Sequence, residues 1–516
     1  MMKYSLWTAL FFWGAIHFVV SGSAWAQGTV RVSVDSNGIQ VNNGSTASTV
    51  SQDGRYIAFQ SVDNNLVAGD TNGTIDIFVH DRDTDEDGVF DEVGNIETVR
   101  VSIRSDGNQG TGGNSTTPTI SPNGRFVAFQ SVATNLVAGD TNGFTDIFVH
   151  DRDTDEDGVF DEVGNIETVR VSIDSGGNQV VGNSENAAIS QDGRHVAFQS
   201  NANLLVAGDT NGSTDVFVHD RDTDEDGVFD EAANIKTVRV SVASDGSQAL
   251  GGNSTLPRIS QEVRYITFQS VATNLVVGDN NGLTDVFLHD RDTDSDYIFD
   301  EAGNIETERI SVDSSGTQAN GNNQHPAISQ NGRYVIFQSN ASNLVSSDTN
   351  GSIDIFDHDR STGETTRISV DSDGNQVNGN SQYPVISQDG RYVTFHSSAS
   401  NLVSFDTNGL IDIFDHDRNT GQTTRVSVDS DGKQANGDSQ YPAISQDGQY
   451  VAFESKASNL VLGDTNGNLD IFAYDFQSTP DDPGGVGNLP GGSGGSGGCF
   501  INTIANDRQD GTSTKL

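Results

Sequence analysis

Apolar residues along the chain occur in short groups that are separated by turns rich in glycine, asparagine and aspartate. In one representative stretch the groups cover residues 383–387, 391–395, 411–414 and 424–428. The second and third groups are apolar on both faces, whereas the fourth alternates valine with arginine and serine. This pattern predicts four short β-strands, of which the second and third are buried on both sides and the fourth forms a half-exposed edge.

The unit of four predicted strands occurs seven times. The segment Ser51-Gln52-Asp53-Gly54-Arg55 recurs with small changes, and its copies begin at Ser121, Ser190, Ser260, Ser329, Ser387 and Ser445. The spacings are 70, 69, 70, 69, 58 and 58 residues, so four units carry an insertion of about a dozen residues. Four-stranded units repeated radially predict an all-β fold, a seven-bladed β-propeller of four-stranded blades. A solenoid is the alternative, but its repeats are usually about 20–45 residues long and its ends need caps, and the sequence shows neither.

The two ends of the repeat array complement one another. The last unit stops at residues 470–475 without a fourth strand, whereas residues 29–34 match fourth strands such as 98–103. Pairing this N-terminal strand with the last blade would remove an exposed sheet edge. We therefore predict that the N-terminal strand closes the ring in the last blade.

The repeated segment also suggests a family. Pro442-Ala443-Ile444-Ser445-Gln446-Asp447-Gly448, followed by an apolar strand, resembles the Ser-x-Asp-Gly repeat of TolB-like propellers over roughly residues 28–476. The resemblance implies a scaffold, a Tol–Pal-like envelope component or an accessory domain of a peptidase. The α/β domain that precedes the propeller in TolB has no counterpart here, which makes the Tol–Pal role the weaker expectation.

The charge balance restricts the partners. The 516 residues include 27 Lys and Arg against 73 Asp and Glu, a formal net charge of −46. Such a chain repels the phosphate backbone, so nucleic-acid binding is not expected. The insertions at 83–92, 153–162, 222–231 and 292–301 contain 23 of the acidic residues. Charge concentrated in this way requires a counter-cation.

Each insertion has the spacing of a cation-binding loop. Carboxylates at loop positions 1, 3, 5 and 9, a turn-forming glycine at 6 and a backbone carbonyl at 7 are the donors that Ca²⁺ prefers. The candidate ligands are Asp83, Asp85, Asp87, Val89 and Asp91; Asp153, Asp155, Asp157, Val159 and Asp161; Asp222, Asp224, Asp226, Val228 and Asp230; and Asp292, Asp294, Asp296 and Asp300. These loops are similar to the Asp-x-Asp-x-Asp-Gly-x-x-Asp calcium hairpins of integrin-type FG-GAP propellers. The alternative is an acidic turn without a cation, and the fourth loop, with Tyr297 in place of glycine, stays open between the two.

Other polar motifs are more easily explained by blade construction. Asp70-Thr71-Asn72-Gly73, with Asp76 downstream, recurs in all seven units and is typical of a turn that leads into a strand. Six histidines, His80, His150, His219, His289, His358 and His416, end the third strands and would be spread round the ring. The nucleophile-elbow pattern at 491–495 falls in a glycine–serine linker. No catalytic residues are therefore assigned, and we predict that the protein is not an enzyme.

The ends of the chain predict export. Residues 1–26 have the layout of a signal peptide with cleavage after Ala26, residues 27–476 form the propeller, residues 477–498 are a linker, and residues 499–516 form a tail. The tail begins at Cys499, the only cysteine, and resembles the Cys-Phe-Ile-Ala-Thr-Ala-Ala box of secreted bacterial proteins. We expect a periplasmic, cell-surface or secreted location, no membrane-spanning segment in the mature chain, and another envelope or extracellular protein as partner. The predicted function is a calcium-binding, non-enzymatic interaction scaffold. The alternatives are a hydrolase or lyase with its active site in the central channel, or a Tol–Pal-like component.

Overall fold

The computed structural model describes residues 28–476, which form 28 β-strands in seven four-stranded sheets and contain no helix. The fold class predicted from the sequence, a seven-bladed β-propeller, is confirmed. The predicted signal peptide, linker and tail with Cys499 lie outside the described residues and stay predictions. Within 28–476 there is no helix long and apolar enough to cross a membrane.

The strands follow one order in every blade. Blade 1 contains β2 (Ser45–Val50), β3 (Tyr56–Ser61), β4 (Asp76–Asp81) and β5 (Glu97–Arg100). Blade 2 contains β6 (Ser115–Ile120), β7 (Phe126–Ser131), β8 (Asp146–Asp151) and β9 (Glu167–Arg170). Blade 3 contains β10 (Ser184–Ile189), β11 (His195–Ser200), β12 (Asp215–Asp220) and β13 (Lys236–Arg239). Blade 4 contains β14 (Ser254–Ile259), β15 (Tyr265–Ser270), β16 (Asp285–Asp290) and β17 (Glu306–Arg309).

The remaining blades have shorter connections before their outer strands. Blade 5 contains β18 (Asn323–Ile328), β19 (Tyr334–Ser339), β20 (Asp354–Asp359) and β21 (Glu364–Arg367). Blade 6 contains β22 (Ser381–Ile386), β23 (Tyr392–Ser397), β24 (Asp412–Asp417) and β25 (Gln422–Arg425). Blade 7 contains β26 (Ser439–Ile444), β27 (Tyr450–Ser455) and β28 (Asp470–Asp475), and its fourth strand is β1 (Val30–Arg31).

The ring closes as predicted. The sheet of blade 7 has the order β1-β28-β27-β26, and β1 pairs antiparallel with β28, with Val30 opposite Ala473. The Val32 N–H extends the pairing by donating to the Ile471 carbonyl at 2.9 Å. The edge that blade 7 would otherwise expose is therefore covered by the N-terminal strand.

The core lies between neighbouring blades. The second and third strands are apolar on both faces, so each sheet buries one face against the blade before it and the other against the blade after it. One such cluster combines Ile147 and Val149 of blade 2 with Val196 and Phe198 of blade 3, all of them fully buried. Burying one such side chain contributes roughly 1.5–3 kcal/mol. Seven clusters of this kind hold the ring together.

The Ser-x-Asp-Gly segment is the turn between the first and second strands. The Ser51 hydroxyl donates to Asp53 at 2.7 Å and accepts the Tyr56 N–H at 3.0 Å. Gly54 has a φ of +79°, and a Cβ there would overlap the ring of Tyr450 in the preceding blade. The glycine is thus required both by the turn and by the close approach of the preceding blade.

Blade 4 departs from this motif. Val263, with a φ of +63°, occupies the glycine position, and the preceding blade carries His195 where the others carry tyrosine or phenylalanine. Both residues of this contact have therefore changed: valine, which is larger than glycine, faces histidine, whose ring is smaller than that of tyrosine or phenylalanine.

The strand order assigns the connections to two faces. The turns between first and second strands and the insertions between third and fourth strands emerge on one face, here called the hairpin face. The longer loops after the second and fourth strands emerge on the other, here called the loop face.

Candidate functional site

The four acidic insertions form hairpins in which three aspartates converge. Asp83, Asp85 and Asp87 each offer a carboxylate oxygen, and these oxygens lie within 4.8 Å of one another. The Asp83 carboxylate also accepts the N–H groups of Asp87 at 3.2 Å and Gly88 at 2.9 Å, which fixes the turn. The same grouping occurs at Asp153, Asp155 and Asp157, at Asp222, Asp224 and Asp226, and at Asp292, Asp294 and Asp296. Each triplet could hold a metal ion.

The fourth carboxylate of each predicted set does not join its triplet. Asp91 has a φ of +62° and turns its side chain to Arg82, whose Nη2 lies 2.6 Å from Asp91 Oδ2. Asp161, Asp230 and Asp300 pair in the same way with Arg152, Arg221 and Arg291. The guanidinium groups are almost fully buried, and a buried cation requires a carboxylate partner. The Val89, Val159 and Val228 carbonyls stay predicted ligands.

The fourth hairpin keeps the geometry of the other three despite its tyrosine. Tyr297 has a φ of +69°, and its N–H donates to Asp292 at 3.0 Å, as Gly88 donates to Asp83. The Tyr297 side chain is 84% exposed, so the turn holds its shape without packing by the ring.

Electrostatics within each triplet are unfavourable to three bare carboxylates. Partial desolvation and the neighbouring Asp87 and Asp83 carboxylates raise the pKa of Asp85 above its ordinary value. Asp155, Asp224 and Asp294 show the same direction of pKa shift, again from desolvation and their neighbouring aspartates. A divalent cation among the oxygens would offset this repulsion.

The hairpins also join neighbouring blades. The ring of Phe90 lies 5.3 Å from that of Tyr450 in the preceding blade, and the Arg82 guanidinium lies over both rings at 4.8 and 5.3 Å. Phe160 contacts Tyr56, and Phe229 contacts Phe126, in the same arrangement. A change in the shape of a hairpin is therefore transmitted to a blade interface.

The recurring Asp-Thr-Asn-Gly loops and the six histidines take structural roles. The Asn72 side chain donates to Asp76 at 2.7 Å and accepts the Thr74 N–H at 3.0 Å, while Arg100 lies 3.0 Å from Asp70. His80 Nδ1 lies 2.8 Å from the Thr98 hydroxyl, and burial lowers the pKa of His80 to about 4.

A second candidate site occupies the central channel. Near the loop face the channel widens into a cavity of about 490 Å³, here called the funnel, which is lined by first-strand residues such as His325, Tyr383 and Tyr441. Towards the hairpin face the channel narrows to a cavity of about 120 Å³ among glutamines of the first turns, including Gln261 and Gln388. The funnel is therefore open on the loop face and constricted below.

A bulge in every first strand shapes the funnel. The bulge residues have φ values between +51° and +55° and are Ala47, Thr117, Asn186, Leu256, His325, Tyr383 and Tyr441. Each bulge N–H donates to a side chain of the preceding blade, as Thr117 does to Gln60 at 2.8 Å. Five blades use glutamine as this acceptor, whereas blades 6 and 7 use His396 and Glu454.

The side chains in the funnel break the sevenfold symmetry. Arg258 occupies a first-strand position that holds only threonine, alanine or valine in the other six blades. Across the bulges of blades 5 to 7, Tyr383 lies 4.3 Å from His325 and 4.6 Å from Tyr441, measured between ring centroids. These residues were not identified from the sequence. Comparing the seven first strands position by position would have found them, because the copies differ in chemistry at these positions.

No protein-family model matches the chain, and no curated protein matches it. Among solved structures, it is similar to a putative TolB from Agrobacterium tumefaciens, with 13% identity, 60% of this chain and 86% of that chain covered, and a TM-score of 0.33. It is also similar to an oligogalacturonate lyase from Vibrio parahaemolyticus, with 12% identity, 87% of this chain and 97% of that chain covered, and a TM-score of 0.44. A third similar structure is prolyl oligopeptidase B from Galerina marginata, with 12% identity, 85% of this chain and 50% of that chain covered, and a TM-score of 0.47. The likeness to TolB, and to these enzymes, is one of fold.

The prediction that the chain is not an enzyme is contradicted by these comparisons, since the propeller-containing neighbours include a lyase and a peptidase. The physical reason for the error is that a sequence motif detects only residues that lie at a fixed spacing along the chain. In a propeller, a site in the channel would be assembled from single residues of separate blades and would leave no such motif.

Proposed function

We propose that the protein is an exported calcium-binding propeller in which each acidic hairpin holds Ca²⁺ and thereby stiffens the interface with the preceding blade. The observation that carries this proposal is the convergence of three carboxylates within 4.8 Å in each of four hairpins. All the donors are oxygens, and the second and third aspartates of each triplet are exposed, which suits a large, hard cation with several water ligands.

The location predicted from the sequence is consistent with this chemistry. Extracellular calcium modules have dissociation constants of about 10⁻⁴–10⁻³ M, which match calcium levels outside cells. The predicted partner, another envelope or extracellular protein, would be sought by comparing pull-downs with and without calcium.

The test is calcium-dependent stability. At about 10 mM calcium, a hairpin with a dissociation constant near 10⁻³ M adds about 1.4 kcal/mol to the free energy of unfolding. Replacing Asp87, Asp157 and Asp226 together by alanine should remove most of the gain in three hairpins. The matched control replaces Glu92, Glu162 and Glu231 by glutamine, which removes equal charge outside the triplets and should leave the gain intact. No calcium heat in the native protein, or a full gain in the triple variant, would refute the proposal, and magnesium should give a smaller effect.

A second candidate function is catalysis in the funnel, of the hydrolase or lyase class. The observation that favours it is the set of polar and titratable residues found in single blades, Arg258, His396 and Glu454 among them. Glu454 is suited to proton transfer, because burial raises its pKa to about 7 while the Ala47 N–H, at 2.6 Å, stabilises the charged form. A screen with glycosidic, ester and peptide substrates tests this function, and it requires that turnover be lost in Glu454→Gln.

A further inference from the structure

The funnel has the size and the lining of a metabolite site. Its volume of about 490 Å³ falls in the range of roughly 300–1,000 Å³ found for small-molecule pockets. Its wall combines prolines and neutral polar residues with a few titratable side chains, and the titratable ones come from blades 4 to 7 only: Arg258, His325, Tyr383, Tyr441 and Glu454. A feature needed to build the ring would recur in all seven blades, so this asymmetric lining indicates a ligand.

Arg258 supplies an uncompensated cation. Its Nη1 donates to the Pro257 carbonyl at 2.8 Å, and no carboxylate within residues 28–476 forms an ion pair with it. Arg258 is an exposed residue that lines the funnel. Desolvation by the surrounding protein lowers its pKa, which favours an anionic partner for the guanidinium. The remaining guanidinium N–H groups are free to bind an anion, and a carboxylate accepts two of them in parallel.

Beside Arg258, the first and second strands of blades 5 to 7 contribute an aromatic wall. It consists of His325, Tyr383, His396 and Tyr441, and the ring centroids of successive members lie 4.3 to 5.7 Å apart. Tyr441 is 41% exposed, so its ring offers a face to a bound molecule. Aromatic faces of this kind hold flat or ring-shaped bodies by stacking.

The charges in the funnel favour an anion. Burial lowers the pKa of His325 to about 4, and the neighbouring Arg258 adds to that effect. Burial lowers the pKa of His396 to the same value, so both imidazoles are neutral at pH 7. Arg258 is then the one permanent charge of the wall, and Glu454 is only partly ionised because its pKa lies near 7.

We propose that the funnel binds a small carboxylate-bearing ring compound, with Arg258 holding the carboxylate and the aromatic wall holding the ring. This inference deepens the second candidate function but concerns binding alone, so failure to find turnover leaves it standing. The ring can come from a sugar acid or from an aromatic acid, and the choice of probes separates the two.

The test is calorimetry or ligand-detected NMR on the full propeller with matched pairs of probes. Glucuronate is compared with glucose, and benzoate with benzyl alcohol. At least one acid should bind 10-fold or more tightly than its neutral partner, and the pair that does so identifies the ring class. Inorganic sulfate should bind more weakly than that acid.

The variants introduce residues that already occur at the equivalent positions of other blades, so they should fold. Arg258→Ala places there the residue that blades 3, 5 and 7 already carry, and Tyr441→Ala copies the bulge residue Ala47 of blade 1. Each should weaken binding of the acid at least 10-fold, whereas Thr49→Ala, the matched change in blade 1, should leave it unchanged. The proposal is overturned if neither acid binds, if neutral probes or sulfate bind equally well, or if Arg258→Ala binds the acid as the native protein does.

Discussion

Blades 1 to 4 carry acidic hairpins and blades 5 to 7 do not, yet one arginine position is common to six of the seven blades. The residues are Arg82, Arg152, Arg221, Arg291, Arg360 and Arg418. Each donates to a carbonyl in the first turn of its own blade. In five of the six, the guanidinium also lies over an aromatic ring of the preceding blade.

Blades 1 to 4, here called the hairpin-bearing arc, and blades 5 to 7, here called the hairpin-free arc, differ in the source of the carboxylate that pairs with this arginine. In blades 1 to 4 it comes from the hairpin, as Asp161 does for Arg152. In blades 5 and 6 it comes from the preceding blade, where Glu308 pairs with Arg360 and Asp357 pairs with Arg418. Glu308 and Asp357 occupy strand positions that hold valine in blades 1 to 3. An interface arginine, buried in blades 1 to 4 and half-buried in blades 5 and 6, thus keeps a carboxylate partner in both arcs. The hairpins are therefore part of the ring as well as candidate cation sites.

Breaking the ring where the two arcs meet should have the largest effect. Deleting residues 29–34 removes β1 and exposes the edge of β28 together with part of the cluster that contains Val32 and Ile471. We expect loss of several kcal/mol, a large part of the ~5–15 kcal/mol typical of a domain, or aggregation. Differential scanning calorimetry and size-exclusion chromatography measure both. An unchanged melting temperature with monomeric elution would refute closure by this strand, and adding residues 28–42 as a peptide should partly rescue the variant.

Replacing the shared arginine in one blade of each arc compares the stability that it contributes in the two arcs. Arg152→Met and Arg418→Met should each cost about 3–5 kcal/mol, because each leaves a carboxylate without its cation. The cost should be greater for Arg418→Met, since the side chain of Asp357 is 3% exposed whereas that of Asp161 is 18% exposed. Urea denaturation midpoints give the comparison. Adding Asp357→Val, the residue of blades 1 to 3, should rescue Arg418→Met; equal costs without rescue would mean that the arginine contributes by packing alone.

The last interface of the hairpin-free arc shows what happens without the arginine. Phe476 follows β28 where the other blades have arginine. The Asp415 carboxylate of blade 6 accepts a hydrogen bond from the Thr394 hydroxyl at 2.8 Å. Burial raises the pKa of Asp415 to about 7. The folded state therefore binds a proton that the unfolded state has released between pH ~4 and ~7, and stability falls as the pH rises through that window.

Asp415→Asn should remove the part of this fall that Asp415 contributes. The variant keeps the hydrogen bond to Thr394, so it should match the native protein below pH 4 and exceed its unfolding free energy by about 2–4 kcal/mol at pH 8. Chemical denaturation at a series of pH values measures the difference. Parallel pH profiles for the two proteins would contradict a raised pKa for Asp415.

The fold could be predicted from the sequence because each blade repeats the same local instructions. Seven turns, alternating patterns and the orphan strand at 29–34 specify a ring without knowledge of any contact between blades. The position-9 aspartates could not be placed from spacing, because a loop pattern does not reveal that Arg82 lies buried beside Asp91. The funnel was missed for a related reason. Arg258 and Tyr441 lie in different blades, and only closure of the ring places them on one cavity.

The smallest expected effect concerns the fourth hairpin, which differs from the other three in the residue at its turn. Tyr297 holds a φ of +69° where the other hairpins have glycine, and a left-handed conformation costs a non-glycine residue roughly 1–2 kcal/mol. Its side chain is 84% exposed, so Tyr297→Gly sacrifices little packing. Because glycine also increases the entropy of the unfolded chain, we expect a net gain of about 0.5–1 kcal/mol and calcium binding equal to that of the other hairpins. Thermal unfolding with and without calcium measures both effects. Glycine at Val159, a neighbouring exposed position of the second hairpin, is the control and should destabilise slightly; a loss of stability in Tyr297→Gly would show that the tyrosine ring supports this hairpin through contacts of its own.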